Sequence, residues 1–159
     1  MVPKEVDYII NSLTKSDTMI EYGAGYSTNH FSPYVNKYYS IEHNNVWFDK
    51  INNDKNSNVE MHLSSVPTLG HCDYDAPTDK DLWRDYYTYA DNLNIDSFDK
   101  VLIDGRARAY CALNIKKYLH SESLVFIHDW PFRSKYHSIV ESVYKQVDLI
   151  HHLFVGVVK

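Results

Sequence analysis

An α/β fold with a mostly parallel sheet, closed by an antiparallel strand pair at its C-terminal end, is predicted by three features of this sequence. Short apolar runs alternate with stretches of helical spacing between residues 19 and 127, the pattern of parallel strands joined by right-handed crossovers. The first run enters Glu21-Tyr22-Gly23-Ala24-Gly25-Tyr26-Ser27-Thr28, where two glycines one residue apart precede a hydroxyl pair. A strand, a tight turn and a helix N-terminus in that order bring backbone up to a nucleotide-like ligand, and glycine leaves room where a Cβ would collide. The last two runs, 147–150 and 153–158, flank His151-His152 as the arms of a hairpin would.

The 159 residues suffice for one domain, 1–159, with little room for a second. Hydrophobic residues at 44% and charged residues at 23% are globular values. A net charge of -5 argues against an electrostatically driven nucleic-acid binder, which carries a basic stripe. No apolar run reaches the roughly 18 residues that span a bilayer, and MVPKEVDYII lacks a signal-peptide pattern. Neither nucleic acid nor membrane is therefore an expected partner, and the expected setting is cytoplasmic. Cys72 and Cys111 lie far apart in unlike contexts, which suits free thiols in a reducing compartment.

In chain order, Val6, Ile9, Ile10 and Leu13 space a first helix with an acid, Glu5, in its first turn. Met19-Ile20 begin the first strand, and Ser27 or Thr28 caps a helix to about residue 34 that Pro33 makes irregular. Residues 37–41 read as a second strand ending in Glu42, 46–52 as a helix, and 59–63 as a third strand. From 64 to 97 the pattern loosens under Pro67, Gly70 and Pro77, and a helix over 79–93 carries Leu82, Trp83, Tyr86, Tyr87 and Ala90. So long a connection predicts an insertion with its own task. A fourth strand, 98–103, ends at Asp104-Gly105; after a helix over 107–119, a fifth, 123–127, ends at His128-Asp129. A helix over 135–146 leads to the hairpin.

Open α/β sheets bind ligands beyond the carboxyl ends of their strands. Those ends here carry Glu21 with the glycines, Glu42, Ser64-Ser65, Asp104 and His128-Asp129. Acids gathered at such an edge fit hydroxyl-bearing ligands, since one carboxylate accepts two hydrogen bonds from a ribose diol. Glu42 falls 17 residues after Gly25, near the spacing of the ribose acid in dinucleotide folds. Thr28, however, stands at the third glycine position, and Glu21 beside the turn would repel a pyrophosphate while tolerating a cationic ligand.

With IEYGAGYST (20–28), YSIEHN (39–44), VLIDGRAR (101–108) and VFIHDW (125–130) in that order, the sequence resembles the class I S-adenosylmethionine-dependent methyltransferases over nearly its whole length. The DGRAR and HDW elements resemble small sugar- or glycan-modifying O-methyltransferase domains, including some encoded by large DNA viruses, whose setting would be the host cytoplasm. The resemblance implies a Rossmann-like sandwich, S-adenosylmethionine as cofactor and a sugar or glycan acceptor. It also implies that Glu21, Tyr22, Gly23, Gly25, Ser27 and Thr28 surround the methionine part of the cofactor. Glu42 would hold the ribose hydroxyls and His43 would flank the adenine. Ser64 stands where many relatives put an acid against the adenine amino group, and Asp104 adjoins the methyl group.

Asp104 is the residue expected to carry catalysis, because O-methylation requires the acceptor hydroxyl to lose its proton as it attacks. His128 is the other candidate base, with Asp129 orienting base or substrate. Arg106 and Arg108 are two of only four arginines, and their forks suit substrate oxygens. Tyr74, Trp83 and Tyr87 of the insertion are amphipathic rings suited to a sugar face. One alternative is a metal-assisted methyltransferase of a phenol or other small molecule. Asp104 and Asp129 match two ligand positions of such relatives, although Trp130 stands where an amide ligand often follows. Another alternative is an inactive cofactor-binding domain of a larger glycan-building protein. A neighbouring glycosyltransferase domain and a second copy of the chain are the protein partners expected. Trp47 and Phe48 read as core, His151-His152 as a turn, and His71-Cys72 as a loop without zinc spacing.

Overall fold

A computed structural model describes residues 1–66, 80–132 and 134–159. Seven strands form one sheet: β1 (Thr18–Tyr22), β2 (Lys37–Glu42), β3 (Val59–Leu63), β4 (Phe98–Ile103), β5 (Leu119–Ile127), β6 (Tyr144–Ile150) and β7 (Leu153–Val158). Their order is β3-β2-β1-β4-β5-β7-β6. The first five run parallel, and β7 inserts antiparallel between β5 and β6. Alternate residues of each strand feed two cores. Ile20, Tyr22, Ile41, Val101, Ile103 and Ile127 pack on one face with α4 (Arg84–Tyr87), α5 (Arg108–Ile115) and α6 (His137–Val143). Met19, Tyr38, Leu102 and Phe126 pack on the other with α1 (Pro3–Asn11) and α2 (Tyr26–Phe31). Burial on both faces is why these strands read as apolar runs. Each fully buried aliphatic side chain contributes about 1.5–3 kcal/mol.

Local chemistry fixes the helix starts nearest the site. Pro3 opens α1, and Glu5 reaches back to accept from Val2 N at 2.7 Å. Asn44 caps α3 (Asn45–Asn53), its Oδ1 accepting from Trp47 N at 2.9 Å. After β1 the chain moves outward through β2 to β3, then returns to lay β4 on the other side of β1. The sheet therefore changes winding direction between β1 and β4, where open α/β sheets form their ligand crevice.

Three expectations are corrected. The helix expected over 79–93 is, among the described residues, the single turn of α4 followed by a 3-10 turn, Tyr89–Asn92. Thr88 breaks it by donating its hydroxyl back to Arg84 O at 2.7 Å. The last helix ends at Val143, not 146, because Tyr144 begins β6 with its ring buried and its hydroxyl on Ala112 O at 2.7 Å. β5 begins at Leu119, four residues early, and shifts register against β4 between Phe98 and Lys100. The hairpin at 147–158 is present, with β6 starting earlier than expected.

Candidate active site

At the switch point the loops after β1 and β4 meet backbone to backbone. Gly23 has φ +98°, and a Cβ there would lie 2.5 Å from Gly105 Cα. A Cβ on Gly105 would lie 2.2 Å from Tyr86 Oη and 2.9 Å from Gly23 Cα. Both positions require glycine, Gly23 for its backbone angle as well. Asp104 N donates to Tyr22 O at 3.0 Å and Gly23 N to Ile41 O at 2.8 Å, which ties three strand ends together. Gly25 is different. Its backbone is ordinary and extended, and a Cβ would find nothing nearer than 3.8 Å, so its lack of a side chain serves to leave the crevice open.

Glu21 does not face that crevice. It is 0% exposed and accepts from the hydroxyls of Ser27, Thr28 (2.6 Å) and Ser40 (2.8 Å). Burial pushes its carboxyl up to about 7 against the pull of those three hydroxyls, and the charge of Asp104 adds to the rise. Glu21 thus bolts the glycine turn to β2. Thr28 is buried with it, and the Tyr22 ring lies in the core, so at that position only backbone reaches the turn.

Glu42, at the end of β2, does line the crevice. Its Oε2 accepts from Ala24 N at 2.8 Å, and Oε1 accepts from His43 N at 2.9 Å and Asn44 N at 2.8 Å. Burial opposes ionisation there, but His43 and these amides outweigh it and hold the carboxyl below its ordinary value. One acceptor site on Oε2 remains beyond those amides. His43 stands beside it, its ring braced edge-on by Trp83 at 5.1 Å and Tyr86 at 5.8 Å. Trp47 is half-buried and lines the crevice, its ring N–H on Ala24 O and Lys50 Nζ 4.6 Å from its ring centre. The expectation that Trp47 is core is corrected: α3 turns that face to the cleft.

Across the crevice, the ends of β4 and β5 and the first turn of α1 converge. His128 Nδ1 lies 3.0 Å from Asp104 Oδ1 and 3.3 Å from Asp129 Oδ1, while Nε2 lies 3.4 Å from Glu5 Oε2. Burial alone would lower the pKa of the imidazole, yet Asp104 and Asp129 outweigh it and raise it. Glu5 is fully buried and also accepts from His152 N at 2.9 Å and faces His151 Nδ1 at 3.3 Å. Burial raises its carboxyl, but the His152 and Val2 amides and the His128 charge more than offset this, and its pKa is lowered. Arg108, 5% exposed along its side chain, closes the cluster. Its Nε donates to Gly105 O at 2.9 Å, Nη1 to His128 O, and Nη2 to Asp104 O at 3.2 Å and Asp129 Oδ2 at 3.1 Å.

Of the expected site residues, Gly23, Gly25, Ser27, Glu42, His43, Asp104, Arg106, Arg108, His128 and Asp129 line one cleft of about 1380 Å³. Ser64 is buried, its amide extending the β2–β3 ladder onto Glu42 O at 2.8 Å. Trp83 and Tyr87, expected to bind substrate, are instead packed in the core with Tyr86, so the ring spacing reports burial. Arg108 is corrected too, because its fork is already spent on three carbonyls and two carboxylates. Tyr74 lies outside the described residues. Glu5 and the wall formed by Met1 and by Pro3, Val6 and Asp7 of α1 were not anticipated. The available signal was Glu5 one helical turn before the core residue Ile9, an acid on the buried face.

The sheet order and the antiparallel C-terminal pair define a Rossmann-like fold of the methyltransferase type. Among solved structures, a methyltransferase-like protein from Silicibacter pomeroyi is similar with a TM-score of 0.78 and 22% identity, over 100% of this chain and 87% of that one. A TehB-like SAM-dependent methyltransferase from Corynebacterium glutamicum gives 0.67 and 10%, over 100% and 89%. The tRNA (m1A58) methyltransferase TrmI from Aquifex aeolicus gives 0.67 and 13%, over 100% and 70%. No protein-family model and no curated protein matches the sequence.

Proposed function

We propose that this chain binds S-adenosylmethionine in the cleft and transfers its methyl group to a hydroxyl of a sugar or glycan. One observation carries the proposal: contact between Gly23 and Gly105 sets Asp104 in the same cleft as the glycine turn and Glu42. A donor site and a proton acceptor thereby share one cavity. The cleft fits the cofactor, since Gly25 leaves open space, Glu42 keeps an acceptor site for a ribose hydroxyl, and His43 and Trp47 offer flat surfaces beside it. When bound, S-adenosylmethionine supplies a methyl group activated by a positive sulfonium.

Asp104 would take the proton that the acceptor hydroxyl gives up on methylation, lying in the same cleft as the glycine turn. His128 Nδ1 lies 3.0 Å from one oxygen of Asp104 and holds that carboxylate in place. For the acceptor, Tyr26 is 81% exposed at the cleft mouth, with Asp7, Asp129 and Arg106 also on the lining. A ring and carboxylates side by side suit the apolar face and paired hydroxyls of a sugar. Similar folds belong to a tRNA methyltransferase, a precorrin-6y methyltransferase and the N-methyltransferase NodS from Bradyrhizobium japonicum, so the fold does not choose the acceptor. The net charge of -5 favours a small or neutral acceptor over nucleic acid.

Calorimetry with S-adenosylmethionine and its demethylated product tests the donor site, and label transfer to a panel of nucleotide sugars tests the acceptor. Asp104→Asn is expected to keep cofactor binding and to lower turnover by on the order of 10²–10⁴. Near-wild-type turnover in that variant would remove Asp104 from the chemistry.

A second proposal has one observation in its favour: ligand atoms of Asp104, His128 and Asp129 lie within 4.8 Å of one another, a spacing that a divalent ion takes. The guanidinium of Arg108 already contacts both carboxylates, however, so these residues do not fit a resident metal.

A further inference from the structure

We propose that Arg108 is the built-in cation of the Asp104–Asp129 pair and that its charge excludes a divalent metal from a cluster otherwise able to hold one. Asp104 and Asp129 end adjacent parallel strands, β4 and β5, so their negative charges are forced together by the fold. Two carboxylates so placed repel each other, and a positive charge between them favours both ionised forms. Arg108, four residues beyond Asp104 at the start of α5, supplies it, with Nη2 3.4 Å from Asp104 Oδ1 and 3.1 Å from Asp129 Oδ2.

The guanidinium is held in place from both loops. Gly105 O and Asp104 O hold it from the β4 loop and His128 O from the β5 loop, and the side chain is almost wholly enclosed. Nor can it lose its charge, as histidine or lysine can. A divalent ion bound to the two carboxylates would sit against this fixed cation. The third candidate ligand is also engaged: His128 Nδ1 faces both carboxylates and its Nε2 faces Glu5. The residue after Asp129 offers no ligand, because Trp130 is buried with its ring stacked on His137 at 4.0 Å. Arg108 thus acts as a positioning residue through Asp104, which rests on the role proposed for Asp104 in transfer, whereas metal exclusion does not.

Mn²⁺ binding, read by electron paramagnetic resonance in the absence of cofactor and acceptor, tests this without any methyl transfer. Wild-type protein is expected to bind no Mn²⁺ at the cluster at millimolar concentration. Arg108→Gln is expected to gain one site, tighter by at least about a hundredfold, and Arg108→Gln with Asp129→Asn to lose it again. A wild-type site abolished by Asp129→Asn would overturn the proposal, as would a folded Arg108→Gln protein that binds no more Mn²⁺ than wild type. If Arg108→Gln does not fold, the wild-type titration and its Asp129→Asn control decide alone. Cofactor calorimetry on the same samples separates failure here from failure of the methyltransferase proposal.

Discussion

At the scale of single residues, the site depends on two glycines and on carboxylates whose environments push them in opposite directions. Gly23→Ala places a Cβ 2.5 Å from Gly105 Cα on a backbone with φ +98°, and no side chain can move to relieve it. A loss on the order of 3 kcal/mol in urea unfolding is expected, and an unchanged midpoint would contradict the contact. Glu21 and Glu42 differ in sign. The pKa of Glu21 is raised, so folding takes up a proton there. Its contribution is most favourable below the unfolded value and is lost as pH rises through about 7. The pKa of Glu42 is lowered, so its contribution is present above the unfolded value and is lost as pH falls through the folded one. Glu21→Gln should therefore gain stability over wild type between pH 5 and pH 8, by up to about 3 kcal/mol at the upper end. Parallel denaturation curves at the two pH values check the sign.

At the scale of elements, α1 is part of the site and not merely cover for the sheet. Glu5 joins its first turn to the end of β5 through His128 and to the β6–β7 turn through His151 and His152. Glu5→Gln is expected to cost about 2 kcal/mol and to lower the His128 pKa, since a negative neighbour is lost. An NMR titration of the His128 ring measures the second effect, and an unmoved pKa would disconnect α1 from the Asp104–His128–Asp129 cluster. The folded pKa of His128 is raised, so its contribution is full below the ordinary histidine value and fades as pH rises through the raised one. The sequence shows Glu5 only as an acid on the buried face of a first helical turn, and its partners were not legible there. Its partner His151 lies 146 residues away, and no local period reports such a distance.

At the scale of the whole molecule, legibility followed the physics of the sheet. Parallel strands covered on both faces leave apolar runs, and their polar ends fall at one edge, so Gly23, Glu42, Asp104 and His128 were identifiable without coordinates. Arg108 was visible but misassigned: residue type suggests a substrate fork, whereas only geometry shows the fork filled. Trp83 and Tyr87 failed for another reason, since the same spacing describes a sugar platform and a buried turn. Trp47 was lost through that ambiguity in reverse.

The placement of the tryptophans has a spectroscopic consequence. Trp83 and Trp130 are 1% and 4% exposed, while Trp47 alone among the three borders the cleft. Emission should contain two blue, quencher-resistant contributions and one red-shifted contribution open to acrylamide. Filling the cleft with S-adenosylmethionine should shield and shift only the third, and Trp47→Phe should abolish the response while leaving the other two intact. Trp47 would thereby report occupancy of the cleft optically, without knowledge of the acceptor.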